Sequence, residues 1–233
     1  MNSWIQDAGH GGSDPGSIHK DIHEKTWNLE AAKYVNDRLN ELGIRSALTR
    51  NGDTTISNKQ RANSVSNYDR AISHHFNAGG GSGTELIHSI YADGAFETLL
   101  KTKIEEAGYP FRRIFTRKYP GSDTRDYYYM NRETGKARVT IVEYDFLDGP
   151  NLHKLKDKDY REGLYECVIQ AICEEENVDY GQAPKRNQTN ETVNGATFYR
   201  VVAGSFHDRE NAEKRIQELK GAGFESFVDV LHQ

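Results

Sequence analysis

The chain has 233 residues, which at roughly 150 residues per domain corresponds to about one and a half domains. It is 36% hydrophobic and 28% charged, and no segment approaches the roughly 18 consecutive apolar residues that span a bilayer, so an integral membrane protein is excluded. The net charge of −5 argues against a nucleic-acid binder that works through bulk positive charge.

Cysteine usage and the first residues predict the compartment of synthesis. Cys167 and Cys173 lie six positions apart in a predicted helix, on different faces, so we expect two half-buried thiols rather than a disulfide. The first residues, MNSWIQDAGHGG, contain neither a basic region nor an apolar region of a secretory signal. Both features favour synthesis in a cytoplasm without an export signal.

Strands and helices are predicted to alternate along the first three quarters of the chain. In chain order we predict a strand at 4–6, a helix over 26–42, a strand at 44–49, a helix over 57–66, strands at 71–73 and 84–88, a helix over 94–107, an irregular stretch over 109–137, a buried strand at 139–142 and a helix over 157–176. This alternation predicts an α/β fold, in which a mostly parallel twisted sheet carries helices on both faces.

The composition changes near residue 179. Residues 179–195 are rich in Pro, Gly, Asn, Gln and Thr and predict a linker. Residues 196–233 predict a small βαβ unit with strands at 198–202 and 224–230 around a helix over 208–219. We therefore expect a main domain over 1–178, a linker, and a C-terminal unit that is too small to bury much apolar surface alone.

Two histidines and one glutamate follow or flank predicted elements of the sheet. His10 follows the first strand, His75 follows the third, and Glu24 stands just before the first helix. Sites form at the carboxyl ends of parallel strands, so these side chains are candidates for one cluster. Two imidazoles and a carboxylate leave one coordination position open, which is the pattern of catalytic zinc. A lone histidine, however, is more often a surface or hydrogen-bonded residue.

Glu143 ends the buried strand at the same predicted edge. Zinc activates water and polarises a carbonyl, and a carboxylate at this position is suited to take the water proton and pass it to a leaving nitrogen. The constellation therefore points to hydrolysis of an amide.

Four separated segments carry a resemblance to a known family: DAGHGGSDPG, HEKTWNLEAA, ISHHFNAGGGSGTE and VTIVEYDFL. Together they resemble the zinc N-acetylmuramoyl-L-alanine amidase family known as amidase 3, over about residues 1–177. The resemblance implies that His10, Glu24 and His75 are the zinc ligands and that Glu143 is the catalytic glutamate. It also implies cleavage of the amide between the lactyl group of N-acetylmuramic acid and L-alanine of the stem peptide.

The sequence departs from the family pattern at three places. Ala8 replaces a usual proline, and residues 144–146 stand where a small residue and glycine are common. His74 precedes His75, and either could be the ligand. We prefer His75 because its spacing from Ser73 matches the family segment, and His74 would then point to the opposite face of the strand.

Two further positions are candidates for substrate binding. Asn77 either contacts substrate or caps a turn. Arg132 resembles a family position near the cleft, where it would hold an oxyanion or a stem-peptide carboxylate, and the alternative is a surface salt bridge. Glu85 is a weaker candidate that could orient a metal-bound imidazole.

The C-terminal unit, TFYRVVAGSFHDRENAEKRIQELKGAGFESFVDV, resembles half of a SPOR-type peptidoglycan-binding domain. A full domain of that family has two such halves. We therefore predict a homodimer in which two chains pair their halves. The alternative is a folding cap on the main domain.

We therefore predict a peptidoglycan hydrolase that causes cell-wall lysis and needs Zn²⁺, with peptidoglycan as partner and with neither nucleic-acid binding nor membrane insertion. The alternatives are a wall-binding protein with a degenerate site and a zinc peptidase that cuts within the stem peptide. Without an export signal, release would follow holin action or mother-cell lysis, so a phage endolysin or a sporulation autolysin is expected.

Overall fold

A six-stranded sheet and a two-stranded hairpin organise residues 1–182. The structure is a computed structural model that describes residues 1–182 and 209–221. The strands are β1 (Trp4–Ala8), β2 (Ile18–His19), β3 (Ile22–His23), β4 (Ser46–Leu48), β5 (Arg70–Asn77), β6 (Thr84–Ile87), β7 (Phe111–Phe115) and β8 (Arg138–Phe146). The α-helices are α1 (Glu24–Glu41), α2 (Asn58–Val65), α3 (Ala95–Glu106), α4 (Tyr129–Arg132), α5 (Leu152–Leu155), α6 (Lys158–Glu176) and α7 (Arg209–Gly221).

The large sheet has the strand order β4-β1-β5-β8-β6-β7. The pairs among β4, β1, β5 and β8 are parallel, β6 runs antiparallel to β8, and β7 runs parallel to β6. Helices α1, α3 and α6 cover one face, and α2 and α4 pack on the other. The predicted fold class, a mostly parallel sheet with helices on both faces, is confirmed.

Alternation along the central strands divides their side chains between the two faces. In β8, Val142 and Tyr144 join the larger core beneath α1, α3 and α6, whereas Val139 and Ile141 join the smaller core beneath α2 and α4. Successive side chains of a strand point to opposite faces, so Glu143 lies on the α2–α4 side. Two parallel strands cannot be joined by a short turn. The chain therefore returns through long connections, which here include the helices that cover the sheet.

The structure differs from the predicted elements mainly in the central and edge strands. His75 and Glu143 were predicted to stand at the ends of strands. Both lie within strands instead, because β5 and β8 remain paired to their carboxyl ends. Strand β7 lies inside the predicted irregular stretch. Its two arginines interrupt the hydrophobic pattern by which a strand is recognised in a sequence. Charged residues are common on edge strands. The β2–β3 hairpin was also not predicted.

The two thiols are more buried than predicted. Cys167 and Cys173 are free and each is 1% exposed. Helix α6 packs against both α1 and α3, so both of its flanks are covered. The prediction of half-buried thiols is therefore wrong, whereas their unpaired state agrees with it.

His74 lies on the opposite face from His75, as predicted, and is fully buried. Its Nδ1 is 2.8 Å from the Tyr144 hydroxyl and its Nε2 is 3.1 Å from Gln6 Oε1. A neutral ring with its proton on Nε2 satisfies both partners, with the tyrosine hydroxyl donating to Nδ1. Burial lowers the pKa of His74 to about 3.

This histidine should make the fold sensitive to acid. Its pKa is about 3 in the folded chain, against 6.5 for an unperturbed histidine, so between these values only the unfolded chain binds the proton. Its contribution is fully present above pH 6.5 and is lost on acidification by about 1.4 kcal/mol per pH unit. We expect His74→Gln to remove about one proton from the pH slope of the unfolding free energy, measured by urea denaturation between pH 7 and pH 4. An unchanged slope would contradict a neutral buried His74.

Two described segments lie beyond the end of α6, residues 177–182 and helix α7. Tyr180 packs against the larger core and donates a 2.7 Å hydrogen bond to Glu166 Oε2. Helix α7 lies in the C-terminal unit and agrees with the predicted helix over 208–219, whereas the predicted strands at 198–202 and 224–230 lie outside the described residues. The predicted domain bounds and the homodimer stay predictions. Among the described residues no helix is long and apolar enough to cross a membrane.

Candidate metal centre

The turn after β1 is held by two buried arginines. Arg50 donates to the carbonyls of Ala8 and Gly9, and Arg61 donates to those of Ala8 and His10. Carbonyls that leave a sheet need new donors when they are buried. The two guanidinium groups supply them, and so fix the backbone that carries His10.

Three side chains from different elements meet at this turn. Glu24 Oε1 lies 3.2 Å from His10 Nε2 and 2.9 Å from His75 Nδ1. One nitrogen or oxygen atom from each residue lies within 4.8 Å of the others. His10 comes from the turn, Glu24 is the first residue of α1, and His75 comes from β5. The predicted ligand trio is therefore brought together.

The charges of the trio stabilise one another. Burial alone would raise the pKa of Glu24, but the hydrogen bonds and charges of the two histidines hold it far below 4.5. Burial alone would lower the pKa of His10, but Glu24 and Asp14 raise it to about 9. Burial acts in the same way on His75, and Glu24 again raises the pKa. The buried carboxylate of Glu24 therefore lies between two imidazole rings whose pKa values it raises.

Glu24 and His10 are oriented by further hydrogen bonds. The Ser17 amide donates to Glu24 Oε2 at 2.8 Å, and Asn28 Nδ2 donates to Glu24 Oε1 at 3.1 Å. Asp14 Oδ2 lies 2.8 Å from His10 Nδ1. A carboxylate on the far nitrogen fixes an imidazole and leaves the near nitrogen for a metal. Sequence reasoning missed Asp14, although its position four residues after His10 in a turn was visible.

Two glycines make room for the cluster. A Cβ at Gly9 would lie 2.2 Å from the His75 ring, and a Cβ at Gly16 would lie 2.6 Å from Glu24 Oε2. Gly16 also has a φ of +67°, which favours glycine. The His75 and Glu24 side chains occupy the space that a larger residue at either glycine would need.

Glu143 stands beside the trio on the neighbouring strand. It pairs in register with His75 between β8 and β5. Its Oε2 is buried and has no hydrogen-bond partner among the described residues. Burial, together with the charges of Glu24 and Glu85, raises the pKa of Glu143 to about 7, against the opposing effect of His75. A buried carboxylate oxygen without a hydrogen-bond partner is rare in folded proteins, and a catalytic role is one established reason for it.

These residues fit a divalent metal ion. Two imidazole nitrogens and a carboxylate oxygen suit zinc, and they leave one position open. The buried charge of Glu24, the oriented His10 ring and the unpartnered oxygen of Glu143 agree with such an ion. The arrangement can bind a metal and place a proton acceptor beside it.

The two predicted substrate-binding residues have other partners. Asn77 Nδ2 donates to Glu85 Oε2 at 3.1 Å, and its Oδ1 accepts from the Ala78 amide. Arg132 donates to the carbonyls of Asp126 and Tyr127. It also pairs with Glu133.

Arg132 lines a cavity of about 880 Å³ together with Arg70 and Arg138. Arg70 and Arg138 are the first residues of β5 and β8. The trio of His10, Glu24 and His75 lies towards the other ends of the same strands. The structure thus places Asn77 against the carboxylate of Glu85, and it places Arg132 against Asp126, Tyr127 and Glu133, away from the trio. Their roles toward substrate stay predictions.

The fold and the cluster define an α/β protein with a candidate metal-binding cluster at the carboxyl edge of its sheet. The family model described as N-acetylmuramoyl-L-alanine amidase, amidase 3, matches residues 5–174. A SPOR domain model matches residues 179–229. The chain therefore belongs to the amidase 3 family of N-acetylmuramoyl-L-alanine amidases, and it is a peptidoglycan hydrolase of that class.

Individual relatives agree with this assignment. The N-acetylmuramoyl-L-alanine amidase CwlM of Bacillus licheniformis is 29% identical over 228 residues, which cover 95% of this chain and 82% of the relative. A sporulation-specific N-acetylmuramoyl-L-alanine amidase of Bacillus subtilis (strain 168) is also 29% identical over the same share of each chain. The catalytic domain of CwlV, an amidase from Bacillus (Paenibacillus) polymyxa var. colistinus, superposes with a TM-score of 0.66 at 26% identity, over 77% of this chain and 100% of that one.

Proposed function

We propose that this chain binds one zinc ion through His10, Glu24 and His75 and hydrolyses the amide between the lactyl group of N-acetylmuramic acid and L-alanine, with Glu143 as general base and acid. The observation that carries the proposal is the convergence of the three ligand atoms within 4.8 Å beside a partnerless carboxylate oxygen. Zinc, when bound, supplies Lewis-acid chemistry that activates water and polarises the scissile carbonyl.

Glu143 moves the proton in this reaction. Its carboxylate accepts a proton from the attacking water as the new carbon–oxygen bond forms. It then donates that proton to the leaving nitrogen as the carbon–nitrogen bond breaks, which yields a free lactyl carboxylate and a peptide amine. A pKa of about 7 suits both directions of transfer near neutral pH.

Asp14 and the Arg50–Arg61 pair act through position. Asp14 holds the His10 ring with its Nε2 toward Glu24. The arginines hold the backbone on either side of His10. Together they keep the first ligand in place before a metal or a substrate binds, which lowers the reorganisation that binding requires.

Removal of the metal should stop lysis. We expect a chelator to abolish cleavage of purified peptidoglycan and stoichiometric zinc to restore it. We also expect His75→Ala to lose bound zinc, measured by elemental analysis of the full chain. His153→Ala is the matched control, because His153 is exposed and its ring hydrogen-bonds the Pro150 carbonyl, outside the trio. Full activity of chelated protein would contradict zinc dependence.

Product analysis separates this function from its alternatives. Mass spectrometry of the soluble fragments should show peptides that begin at L-alanine, and the glycan should keep intact lactyl groups. Fragments cut within the stem peptide would indicate a zinc peptidase instead. Binding of peptidoglycan without cleavage and without bound zinc would indicate a wall-binding protein with a degenerate site.

We further propose that the SPOR region holds the enzyme on peptidoglycan, and so raises the local substrate concentration by tethering. The similarity to a sporulation-specific amidase supports a role in sporulation over a phage endolysin. Release by mother-cell lysis would agree with such a role.

A further inference from the structure

Two arginines on edge strand β7 lie in line with the proposed catalytic carboxylate. Arg113 pairs in register with Glu85 on β6, Glu85 pairs with Glu143 on β8, and Glu143 pairs with His75 on β5. Neighbouring strands lie about 4.8 Å apart. The backbone of Arg113 is therefore about 10 Å from that of Glu143, two strand spacings along the same row.

A bulge in β7 brings both arginines to the same carboxylate. The register shifts between Thr84, which faces Phe111, and Glu85, which faces Arg113. Arg112 is the additional residue. Alternation would send Arg112 and Arg113 to opposite faces, but a bulge places two residues against one and re-aims a side chain. Arg112 Nη1 and Arg113 Nε donate to Glu85 Oε1 at 2.6 Å and 3.0 Å.

Both guanidinium groups are fixed and yet face solvent. Arg112 lies 5.1 Å from the Phe146 ring centroid, and Arg113 lies 4.3 Å from that of Phe115. Their side chains are 44% and 52% exposed, whereas that of Glu85 is 3% exposed. Arginine side chains at a surface ordinarily lose much entropy on binding. Here the buried carboxylate and the aromatic rings have already ordered them.

The group carries an excess of positive charge. Two arginines share one carboxylate, and within the described residues neither has a second ion pair. Each guanidinium has five N–H donors, of which one contacts Glu85 in each case. The remaining donors match the bidentate geometry of a carboxylate. A preorganised cationic pair is thus exposed two strands away from Glu143.

We propose that Arg112 and Arg113 form a subsite for a free carboxylate of the peptide part of the substrate; this rests on the proposed amidase function. An extended peptide advances about 3.5 Å per residue, so the two strand spacings from Glu143 correspond to the second or third amino acid after the scissile amide. The subsite selects stem peptides with an ionised carboxylate there over peptides with a carboxamide.

The test uses muramoyl tripeptides in matched pairs. One pair carries a carboxylate or a carboxamide on the second amino acid, and another pair carries them on the third. We expect the full zinc-loaded chain to cleave the acid form of one pair about tenfold faster in kcat/KM, as a charged hydrogen-bonded contact predicts. Arg112→Gln and Arg113→Gln should each lower kcat/KM for that acid more than for the corresponding amide, and so reduce the ratio between the two. Each single variant keeps Glu85 paired with the other arginine.

Arg125→Gln is the matched control, because it removes one exposed arginine that lies over the Tyr119 ring rather than on Glu85. It should keep the wild-type selectivity. Calorimetric binding of the same peptides to Glu143→Gln supplies a readout apart from turnover, and the acid should again bind about tenfold more tightly. Equal cleavage of acid and amide in both pairs, or selectivity that survives in both arginine variants, would overturn the subsite. Cleavage of none of the four by the wild-type chain would overturn the proposed function, and the subsite with it.

Discussion

Replacing Glu143 with glutamine is expected to lower the rate of peptidoglycan cleavage by about 100- to 10,000-fold, the usual contribution of a positioned general base. Glutamine keeps the shape of the side chain but cannot accept the proton of the attacking water. The measurement is turnover of purified peptidoglycan by the zinc-loaded chain, with bound zinc and the unfolding free energy determined in parallel.

The matched control for this variant is Glu97→Gln. Glu97 is also buried, and it accepts a hydrogen bond from Thr140, three residues before Glu143 on β8. Glutamine at this position retains an acceptor for that hydroxyl, so activity should stay near the wild-type value. A fully active Glu143→Gln variant would refute the assignment of the base, and an inactive Glu97→Gln variant would point to a general sensitivity of β8.

The second large effect is on stability. Arg61→Ala should lower the free energy of unfolding by about 3–5 kcal/mol, because it leaves a buried charge without its partner. The carboxylate of Asp7 is almost fully buried and pairs with Arg61. Although burial alone would raise its pKa, Arg61 and the hydroxyls of Ser73 and Thr49 hold the pKa of Asp7 below its usual value. Urea denaturation of the metal-free chain measures the loss.

Arg38→Ala is the matched control for Arg61→Ala. Arg38 is about as buried, but its partners Glu41 and Glu166 reach solvent, with 39% and 21% of their side chains exposed. Loss of such pairs costs about 1 kcal/mol or less. Arg61→Ala should also weaken zinc binding, since Arg61 holds the His10 carbonyl. Equal losses of stability in the two variants would contradict the buried ion pair as the cause.

Sequence patterns predicted the fold class and the clustering of His10, Glu24 and His75, because both depend on local signals. The β-branched run of residues 139–142 indicated a central strand, and glycines around His10 indicated a turn at a strand end. Four spaced motifs then identified the family. These features lie within short segments, so one sequence was enough to reveal them.

The supporting contacts could not be predicted, because they join residues far apart in the chain. Arg61 meets Asp7 across 54 positions, and no local pattern marks either as a partner. Strand β7 was missed because its two arginines resemble a solvated segment. Their common partner, Glu85, becomes apparent only when the structure shows β6 between β7 and β8.

His75, Glu143, Glu85 and Arg113 form one row of paired residues across four strands. This row has a consequence for the order of folding. Its paired members are far apart in the chain, 68 positions between His75 and Glu143 and 58 positions between Glu85 and Glu143. Contacts between such distant segments form late, because the intervening chain must first be ordered. The β1–β5 pairing spans 66 positions between Trp4 and Arg70, so both halves of the site are expected to mature late and together. A partly folded chain would then hold neither the proposed zinc ligands nor Glu143 in place, so metal uptake and lytic competence would be acquired in one event.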